Sequence, residues 1–236
     1  PGPELGTIVM SNTFRSPALL AKMGASLQHL SSGRFILGYG GGWHEGEHRA
    51  FGYDYPSPRT RIEMLEEGVQ VIKKLWTESP ASFDGKFYNV DGAHCEPLPD
   101  PQPPIMIGGA GEKRTLKVVA KYADWWNDLS RPLDQAQHKL DVLRQHCEAE
   151  GRDYDSIRKT FTARFFIDRS HAKAREKAGD WLTAEQPAIA GDPSAVRDQL
   201  GQLAEMGFDL CIAVFPQFQE LDDMRLFADD VIPEFA

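Results

Sequence analysis

Two glycine-rich segments are the first candidates for ligand binding, because a backbone without Cβ atoms lets another group approach it closely. The first is Gly38-Tyr39-Gly40-Gly41-Gly42 and the second is Gly108-Gly109-Ala110-Gly111, and each follows a short apolar run. Lys113 and Arg114 follow the second segment, where a helix is predicted to begin. The N–H groups at the start of a helix attract anions. We therefore predict a phosphate site at the second segment, with a tight turn that binds nothing as the alternative.

The second segment matches neither of the two common nucleotide-binding motifs. A dinucleotide fingerprint would need a third glycine at the position of Arg114, and a P-loop would need a Gly-Lys-Ser or Gly-Lys-Thr ending, which the segment lacks. The sequence therefore favours a phosphate-bearing cofactor that is bound by neither of these two motifs.

The run His44-Glu45-Gly46-Glu47-His48 satisfies the H-E-x-x-H pattern of zinc hydrolases, in which Glu45 would activate water. Glycine within such a helix costs about 1 kcal/mol, and no third ligand is marked nearby, so we predict no metal. We favour the hypothesis that His44 enters a ligand pocket and exchanges protons there. Trp43 would form a wall of this pocket, and a solvated helix start is an equal alternative for His48.

The composition disfavours several classes of partner. The chain has 26 Lys and Arg against 35 Asp and Glu, and a net charge of −9 suits neither nucleic acid nor an anionic membrane surface. No run approaches the roughly 18 apolar residues of a membrane span. The three cysteines are an odd number without metal-site spacing, which is typical of a reduced, cytoplasmic protein. The expected partner is a small-molecule substrate.

The elements that must position these residues alternate along the chain. Short apolar runs predict six strands, at 5–10, 34–39, 104–107, 124–127, 160–167 and 208–214. Apolar residues at helical spacing predict helices at 17–30, 58–77, 112–122, 133–149, 171–183, 193–206 and 219–231. This alternation is typical of an open doubly wound sheet or a (β/α)8 barrel, and in both folds ligands bind where the glycine segments stand, at the carboxyl ends of strands.

One region interrupts the alternation. The pair Asp84-Gly85 between β-prone flanks predicts a hairpin over 82–90, and the proline-rich residues 97–104 follow it. We therefore predict an insertion near 80–103. It is either a decoration of the sheet, or a lid or dimer contact.

Most of the chain resembles the bacterial luciferase-like monooxygenase family, and within it the branch of oxidoreductases that use the deazaflavin coenzyme F420. The resemblance is clearest over 5–52, 56–76, 83–88 and 103–127. It implies an α/β fold, a (β/α)8 TIM barrel of the luciferase-like type forming a single domain over 1–236. The family begins with two further βα units, and at about 30 residues per unit about 60–70 residues are lacking here. Six predicted strands equal eight minus those two.

The resemblance also implies a site. Its cofactor-binding positions are Ile8, Val9, Met10, Ser11, Gly40, Trp43, His44, Gly108, Gly109, Ala110 and Gly111. A non-prolyl cis peptide at Ile8-Val9 is implied to back the flavin ring, and His44 is the catalytic candidate. Gly41 stands where some sugar-phosphate dehydrogenases of the family carry an acidic residue, which disfavours that substrate class.

The implied activity is hydride transfer between coenzyme F420, or alternatively FMN, and a small organic substrate, with O2 as a reactant if the protein is a monooxygenase. A zinc hydrolase using His44, Glu45 and His48, and a non-catalytic flavin-binding remnant, are the competing hypotheses. A barrel without two strands has two open edges, and open edges invite pairing. We therefore expect either a fragment of a longer gene product or a homo-oligomer that covers the gap.

Overall fold

The computed structural model describes residues 2–216 and 221–235. The chain divides into two compact units. The first is formed by Pro1–Trp126 with Leu143–Ile157, and the second by Asn127–Val142 with Arg158–Ala236. A single domain over 1–236 stays a prediction, and the two units are described separately.

The first unit is built from short strands and the helices between them. Its strands are β1 (Leu5–Gly6), β2 (Met10–Ser11), β3 (Phe35–Gly40), β4 (Ala81–Asp84), β5 (Asn89–Ala93), β6 (Ile105–Gly108) and the start of β7 (Trp125–Leu129). Its helices are α1 (Pro17–Leu30), α2 (Glu45–Phe51), α3 (Pro58–Thr77), α4 (Thr115–Tyr122) and the second part of α5 (Leu133–Glu150). β3 pairs in parallel with β1, β2 and β6. The first predicted strand is thus present as two pieces, β1 and β2.

The core of the first unit lies around β3. All six residues of this strand are buried, as expected for a parallel strand with neighbours on both edges and both faces. On α3, the predicted apolar stripe is confirmed, since Leu65, Val69 and Ile72 are fully buried. Ser57 caps this helix by accepting a hydrogen bond from the Thr60 amide, which explains why it begins at Pro58.

Helix α1 buries a face of mostly small residues and leaves three of its leucines exposed. The apolar residues that indicated the helix include Leu19, Leu27 and Leu30, which are 53%, 39% and 79% exposed. The buried face contains Gly24, where a Cβ atom would lie only 2.8 Å from Trp76 Cζ2 of α3. Close approach of the two helices therefore decides which face is buried, and apolar spacing alone did not indicate it.

The predicted hairpin is present as the antiparallel pair β4–β5. Glu67 of α3 holds its turn, because the carboxylate accepts hydrogen bonds from the amides of Lys86, Phe87 and Tyr88 at 2.8–3.3 Å. Lys86 Nζ also lies 2.9 Å from the Glu63 carboxylate. Burial, with a smaller effect of Glu67, raises the pKa of the Tyr88 phenol to about 12. These contacts favour a fixed decoration over a lid.

The second unit continues β7 and α5. Its further strands are β8 (Arg158–Ile167), β9 (Ile189–Gly191) and β10 (Leu210–Val214), and its further helices are α6 (His171–Ala178), α7 (Pro193–Glu205) and α8 (Asp222–Asp230). β8 pairs in parallel with β9 and β10. The three-residue strand β9 was not predicted, because it is too short to show a periodicity. Of the predicted helix 219–231, residues 219 and 220 lie outside the described residues.

Within the described residues, no helix is both long enough and apolar enough to cross a membrane. The predicted location in the cytoplasm stays a prediction.

The predicted helix 171–183 ends earlier, at Ala178, and Gly179 follows it with a φ of +49°. Glycine adopts such a φ at little cost and commonly ends helices.

Candidate functional site

Three neighbouring strands of the first unit end at the same level. Ser11 at the end of β2 is opposite Gly40 at the end of β3, and Gly40 is opposite Gly108 at the end of β6. The strands are parallel, so these residues mark the carboxyl edge of the sheet, where α/β folds bind ligands. The structure therefore brings together predicted site residues from three separate segments of the sequence.

The chain between β1 and β2 leaves the strand pairing and forms a bulge. Its Ile8-Val9 peptide bond is cis, which confirms the conformation that the family resemblance implied. Thr7 fixes the bulge to β3, because its Oγ1 donates to the Gly38 carbonyl oxygen and accepts from the Gly38 amide, both at 3.0 Å. The Ile8 side chain is 49% exposed. Contact of the bulge with a flavin ring stays a prediction.

The bulge occupies the space that the glycines leave on β3 and β6. A Cβ atom would lie 2.7 Å from Val9 Cγ2 if built at Gly40, and 2.9 Å from the same atom if built at Gly108. A Cβ atom at Gly38 would overlap the carbonyl oxygen of Thr7. The group that approaches these glycines is therefore the chain's own bulge. Nothing in the sequence pattern distinguished this cause from a bound ligand.

The second glycine segment is an open turn between β6 and α4. Within residues 2–216 and 221–235, the amides of Gly109, Ala110 and Gly111 donate to no acceptor. Gly109 has a φ of +116°, which glycine adopts without strain. Lys113 and Arg114, which follow, are exposed. Unused N–H groups before a helix, with two cations beside them, form a suitable site for an anion.

Two side chains hold this turn by its carbonyl oxygens. Nε1 of the fully buried Trp126 donates to the Gly109 oxygen at 2.9 Å. Nε2 of His146 lies 2.7 Å from the Glu112 oxygen and must donate, because a carbonyl only accepts. Both residues were missed from sequence, since they lie 17 and 34 positions from their partners. The only signal was general, that a buried tryptophan N–H needs an acceptor.

His44 and Trp43 lie on the loop after β3. Trp43 is 81% exposed, and His44 is exposed and caps α2, its Nδ1 accepting a hydrogen bond from the Glu47 amide at 3.0 Å. Because Nδ1 accepts, the neutral imidazole carries its hydrogen on Nε2. His44 can therefore offer an N–H donor to a ligand. The pocket roles of both residues stay predictions.

His48 is buried, with 1% of its surface exposed, so the solvated alternative for this residue is wrong. Its Nε2 lies 2.6 Å from Thr13 Oγ1, and Thr13 Oγ1 lies 2.7 Å from Ser11 Oγ. Its Nδ1 lies 2.8 Å from the carbonyl oxygen of His44. Gly42 makes room for this cluster, because a Cβ atom there would contact Thr13 and His48 and overlap Ser11 Oγ.

A buried amide adjoins this cluster. Asn12 is 2% exposed and donates through Nδ2 to the carbonyl oxygen of Arg61 at 2.8 Å. Its Oδ1 is buried without a hydrogen-bond partner in the described part of the chain. Buried polar atoms are nearly always satisfied. Asn12 therefore leaves an acceptor for a water molecule or a polar ligand beside Ser11.

The zinc hypothesis is not supported by this geometry. Both ring nitrogens of His48 are within hydrogen-bond distance of protein atoms, and His44 Nδ1 accepts from the Glu47 amide. His44 stands before α2 as its cap, so only one of the two imidazoles belongs to a residue within the helix. Nowhere in residues 2–216 and 221–235 do three or more His, Cys, Asp or Glu side chains assemble as metal ligands.

Comparison with known proteins identifies the family. The family described as "Luciferase-like monooxygenase" matches residues 4–187. A relative from Kineococcus radiotolerans, named F420-dependent glucose-6-phosphate dehydrogenase, is 34% identical over 197 residues, which cover 80% of this chain and 58% of the relative. A protein of the same name from Amycolatopsis mediterranei is 26% identical over 98% of this chain and 79% of its own length. The chain thus spans a little over half the length of the first of these relatives.

Solved structures share the fold. An F420-dependent secondary alcohol dehydrogenase, solved with an F420-acetone adduct, matches 99% of this chain and 79% of its own with a TM-score of 0.85 at 19% identity. The expected fold class, an α/β barrel of the luciferase-like type, is confirmed. Together with the match over 4–187, this places the chain in the luciferase-like monooxygenase family.

Proposed function

We propose that the chain contains the cofactor site of an oxidoreductase that uses coenzyme F420, with FMN as the alternative, to transfer hydride to or from a small organic substrate. The observation that carries this proposal is the turn of unused amides at Gly109, Ala110 and Gly111, because such a turn suits a phosphate group. The bound coenzyme would supply the hydride chemistry. The chain would supply binding, orientation and proton exchange.

The bulge supports a ring site beside this turn. Val9 lies against Gly40 and Gly108 at the ends of two paired strands. A flat cofactor ring needs an apolar surface at the strand ends, and the half-buried Val9 and Met10 provide one. The ring and the phosphate would then be held by adjacent segments of the same unit.

His44 fits the role of a hydrogen-bond donor through Nε2. To act as a general acid it would first need a second proton on Nδ1, and that proton would end the bond from the Glu47 amide that caps α2. We therefore propose that His44 orients cofactor or substrate through its Nε2–H group. Its proposed catalytic role is this contact at the reacting group.

The substrate stays open. The name of the Kineococcus relative points to a sugar phosphate. At Gly41, however, a Cβ atom would lie 2.7 Å from Ile62 Cδ1, so an acidic side chain at this position would require Ile62 to move. A small organic substrate, with or without O2, is the class that these observations support.

Titration of coenzyme F420 and of FMN into the protein, each followed by absorbance, tests the proposal. We expect F420 to bind more tightly than FMN. The Gly109→Ala substitution should raise the dissociation constant of F420 about tenfold, which corresponds to about 1.4 kcal/mol of binding free energy. Gly151→Ala is a matched control, because Gly151 also has a positive φ (+66°) but follows α5, away from the turn. Failure of both coenzymes to bind, or equal binding by Gly109→Ala, would contradict the proposal. Binding without any reduction by candidate donors would select the non-catalytic remnant.

A homo-oligomer is the second part of the proposal. The exposed Leu19, Leu27 and Leu30 on α1 support it, because large apolar side chains on one helix face commonly mark an interface. Sedimentation analysis of the chain should show a dimer or larger species, and Leu27→Glu should shift it to monomer. A monomer at all concentrations would argue against this part alone.

A further inference from the structure

A line of hydrogen-bonding groups connects the strand edge to a buried imidazole. It runs from Ser11 Oγ to Thr13 Oγ1 over 2.7 Å, from there to His48 Nε2 over 2.6 Å, and from His48 Nδ1 to the carbonyl oxygen of His44 over 2.8 Å. Ser11 is half-buried and lies in register with Gly40, whereas His48 is buried. We call Ser11, Thr13 and His48 the hydroxyl relay.

The carbonyl oxygen at one end fixes the direction of every bond in the relay. Because the His44 oxygen only accepts, His48 Nδ1 must carry a hydrogen. The neutral ring therefore accepts at Nε2 from the Thr13 hydroxyl. Thr13 has then used its only hydrogen, so the bond between the hydroxyls must be donated by Ser11. In this state Ser11 directs its hydrogen inward and can offer a ligand only a lone pair.

Protonation of His48 at Nε2 would reverse the donor and acceptor roles in both hydrogen bonds of the hydroxyl relay. Nε2–H would then donate to Thr13, Thr13 would donate to Ser11, and Ser11 would be free to donate its hydrogen to a ligand. The His48 imidazole could thus accept a proton from a ligand without contacting that ligand. Two aromatic rings pack on the imidazole, those of Phe14 at 4.6 Å and Tyr55 at 4.7 Å.

Few ionisable groups stand near the relay. From α3, Arg61 lies with its guanidinium 3.9 Å from the centroid of the Tyr55 ring and donates to the Gly42 carbonyl oxygen. The other ionisable side chains on α2 and its flanking loops are His44, Glu45, Glu47, Arg49, Tyr53, Asp54 and Tyr55. Of these, all are exposed except Tyr55, which is half-buried. Among the described residues, no carboxylate forms a hydrogen bond or ion pair with the His48 ring, so the Thr13 hydroxyl is its proton partner.

We propose that His48 is the proton store of the strand-edge site and that Ser11 and Thr13 conduct a proton between His48 and the ligand. When a ligand X–H group loses its proton, the new O–H bond forms at Ser11, the Ser11 proton moves to Thr13, and the Thr13 proton moves to His48 Nε2. One X–H bond is replaced by one N–H bond, and no electrons change hands. The inference rests on the proposed function only for the ligand's identity. Ser11 contacts the ligand, whereas Thr13 and His48 act through it.

The first test needs no coenzyme. The chain is labelled with 15N-histidine, and two-bond 1H–15N NMR spectra report the tautomer of each ring. His48 should show the tautomer with its hydrogen on Nδ1. The Ser11→Ala substitution should change the 15N chemical shifts of His48, although Ser11 does not touch the ring. Thr77→Val is the control, because the Thr77 hydroxyl is exposed and bonds only to carbonyls of its own helix. The opposite tautomer of His48, or 15N chemical shifts that are the same in Ser11→Ala and the wild type, would overturn the relay.

The second test uses the holoenzyme. Thr13→Val should lower kcat about tenfold or more and remove the pH-dependent limb of kcat, while the dissociation constant of the coenzyme changes little. Thr13→Ser should restore the limb because it restores the hydroxyl. An unchanged pH profile in Thr13→Val would overturn the proposal. If no coenzyme binds at all, the proposed function fails while the NMR result still decides the relay.

Discussion

The two glycine segments look alike in sequence and differ in physical cause. In the first, the absent Cβ atoms make room for other parts of the same chain: Thr7 at Gly38, Val9 at Gly40 and Ile62 at Gly41. In the second, the Thr115 methyl group, at 3.4 Å, is the only described atom within 4 Å of a Cβ atom built at Gly109, its chain neighbours aside. The first segment and Gly108 are therefore glycine for packing, whereas the remainder of the second segment, 109–111, leaves backbone amides uncovered.

This difference separates stability from binding. A substitution in the first segment should act mainly on the free energy of unfolding, because it displaces packed atoms. A substitution at Gly109, whose φ is +116°, should act mainly on the affinity for an anionic ligand, because it disturbs the uncovered amides that a ligand would use.

The largest effect is expected for Gly38→Ala. The new Cβ atom would overlap the Thr7 carbonyl oxygen, which is backbone and is itself held by the two bonds of Thr7 Oγ1. We expect a loss of about 3 kcal/mol or more in the free energy of unfolding, measured by urea denaturation followed by circular dichroism.

The control is Gly201→Ala. Gly201 lies within α7, and a Cβ atom there would meet no atom within 4 Å. Because alanine favours a helix over glycine by about 1 kcal/mol, this variant should be slightly more stable than the wild type. Equal stability of the two variants would show that the bulge is not packed on Gly38.

A smaller loss is expected for Gly40→Ala, because the group it meets is the tip of Val9 rather than backbone. Overpacking of this kind costs about 2 kcal/mol. The double variant Gly40→Ala/Val9→Ala should recover much of it, since the second change removes the Cγ2 methyl that lies 2.7 Å away. A double-mutant cycle in denaturation should give a coupling energy of about 1 kcal/mol. Simple additivity would mean that Val9 does not fill this space.

The sequence predicted most of the fold, because its elements are marked locally. The buried stripe on α3 and the Asp84-Gly85 hairpin both depend on residues within a few positions of one another, and both are present. The orientation of α1 was not predictable in this way. It depends on the fit of Gly24 against Trp76, a contact between residues distant in sequence.

The same distinction between local and long-range features holds for the candidate site. The cis bond at Ile8-Val9 and the open turn at Gly109 were expected, one from the family resemblance and one from the residue types. The burial of His48 was not, because its partner Thr13 is 35 positions away. Long-range side-chain bonds of this kind leave no periodicity and no motif.

A moderate effect is expected for Trp126→Phe. The change removes the N–H group that holds the Gly109 carbonyl oxygen, at a cost of about 1 kcal/mol in stability, and it should weaken coenzyme binding a few-fold. Trp76→Phe is the matched control, because Trp76 is equally buried and donates to Ala21 on α1, away from the turn. Both variants should lose stability in denaturation, and only Trp126→Phe should lose affinity. Loss of affinity in both would assign the effect to general destabilisation.

The smallest effect is expected for Gly111→Ala, which makes the same chemical change as Gly38→Ala in the other segment. Its Cβ atom would lie 2.8 Å from Thr115 Oγ1, a side-chain atom rather than a backbone atom, and Gly111 is not among the residues with positive φ. The amide is retained, so we expect stability within about 1 kcal/mol of wild type and nearly unchanged coenzyme affinity. If Gly111→Ala unfolded the chain as Gly38→Ala should, the second turn would also be packed against protein. The distinction between a packed and an uncovered glycine segment would then be lost.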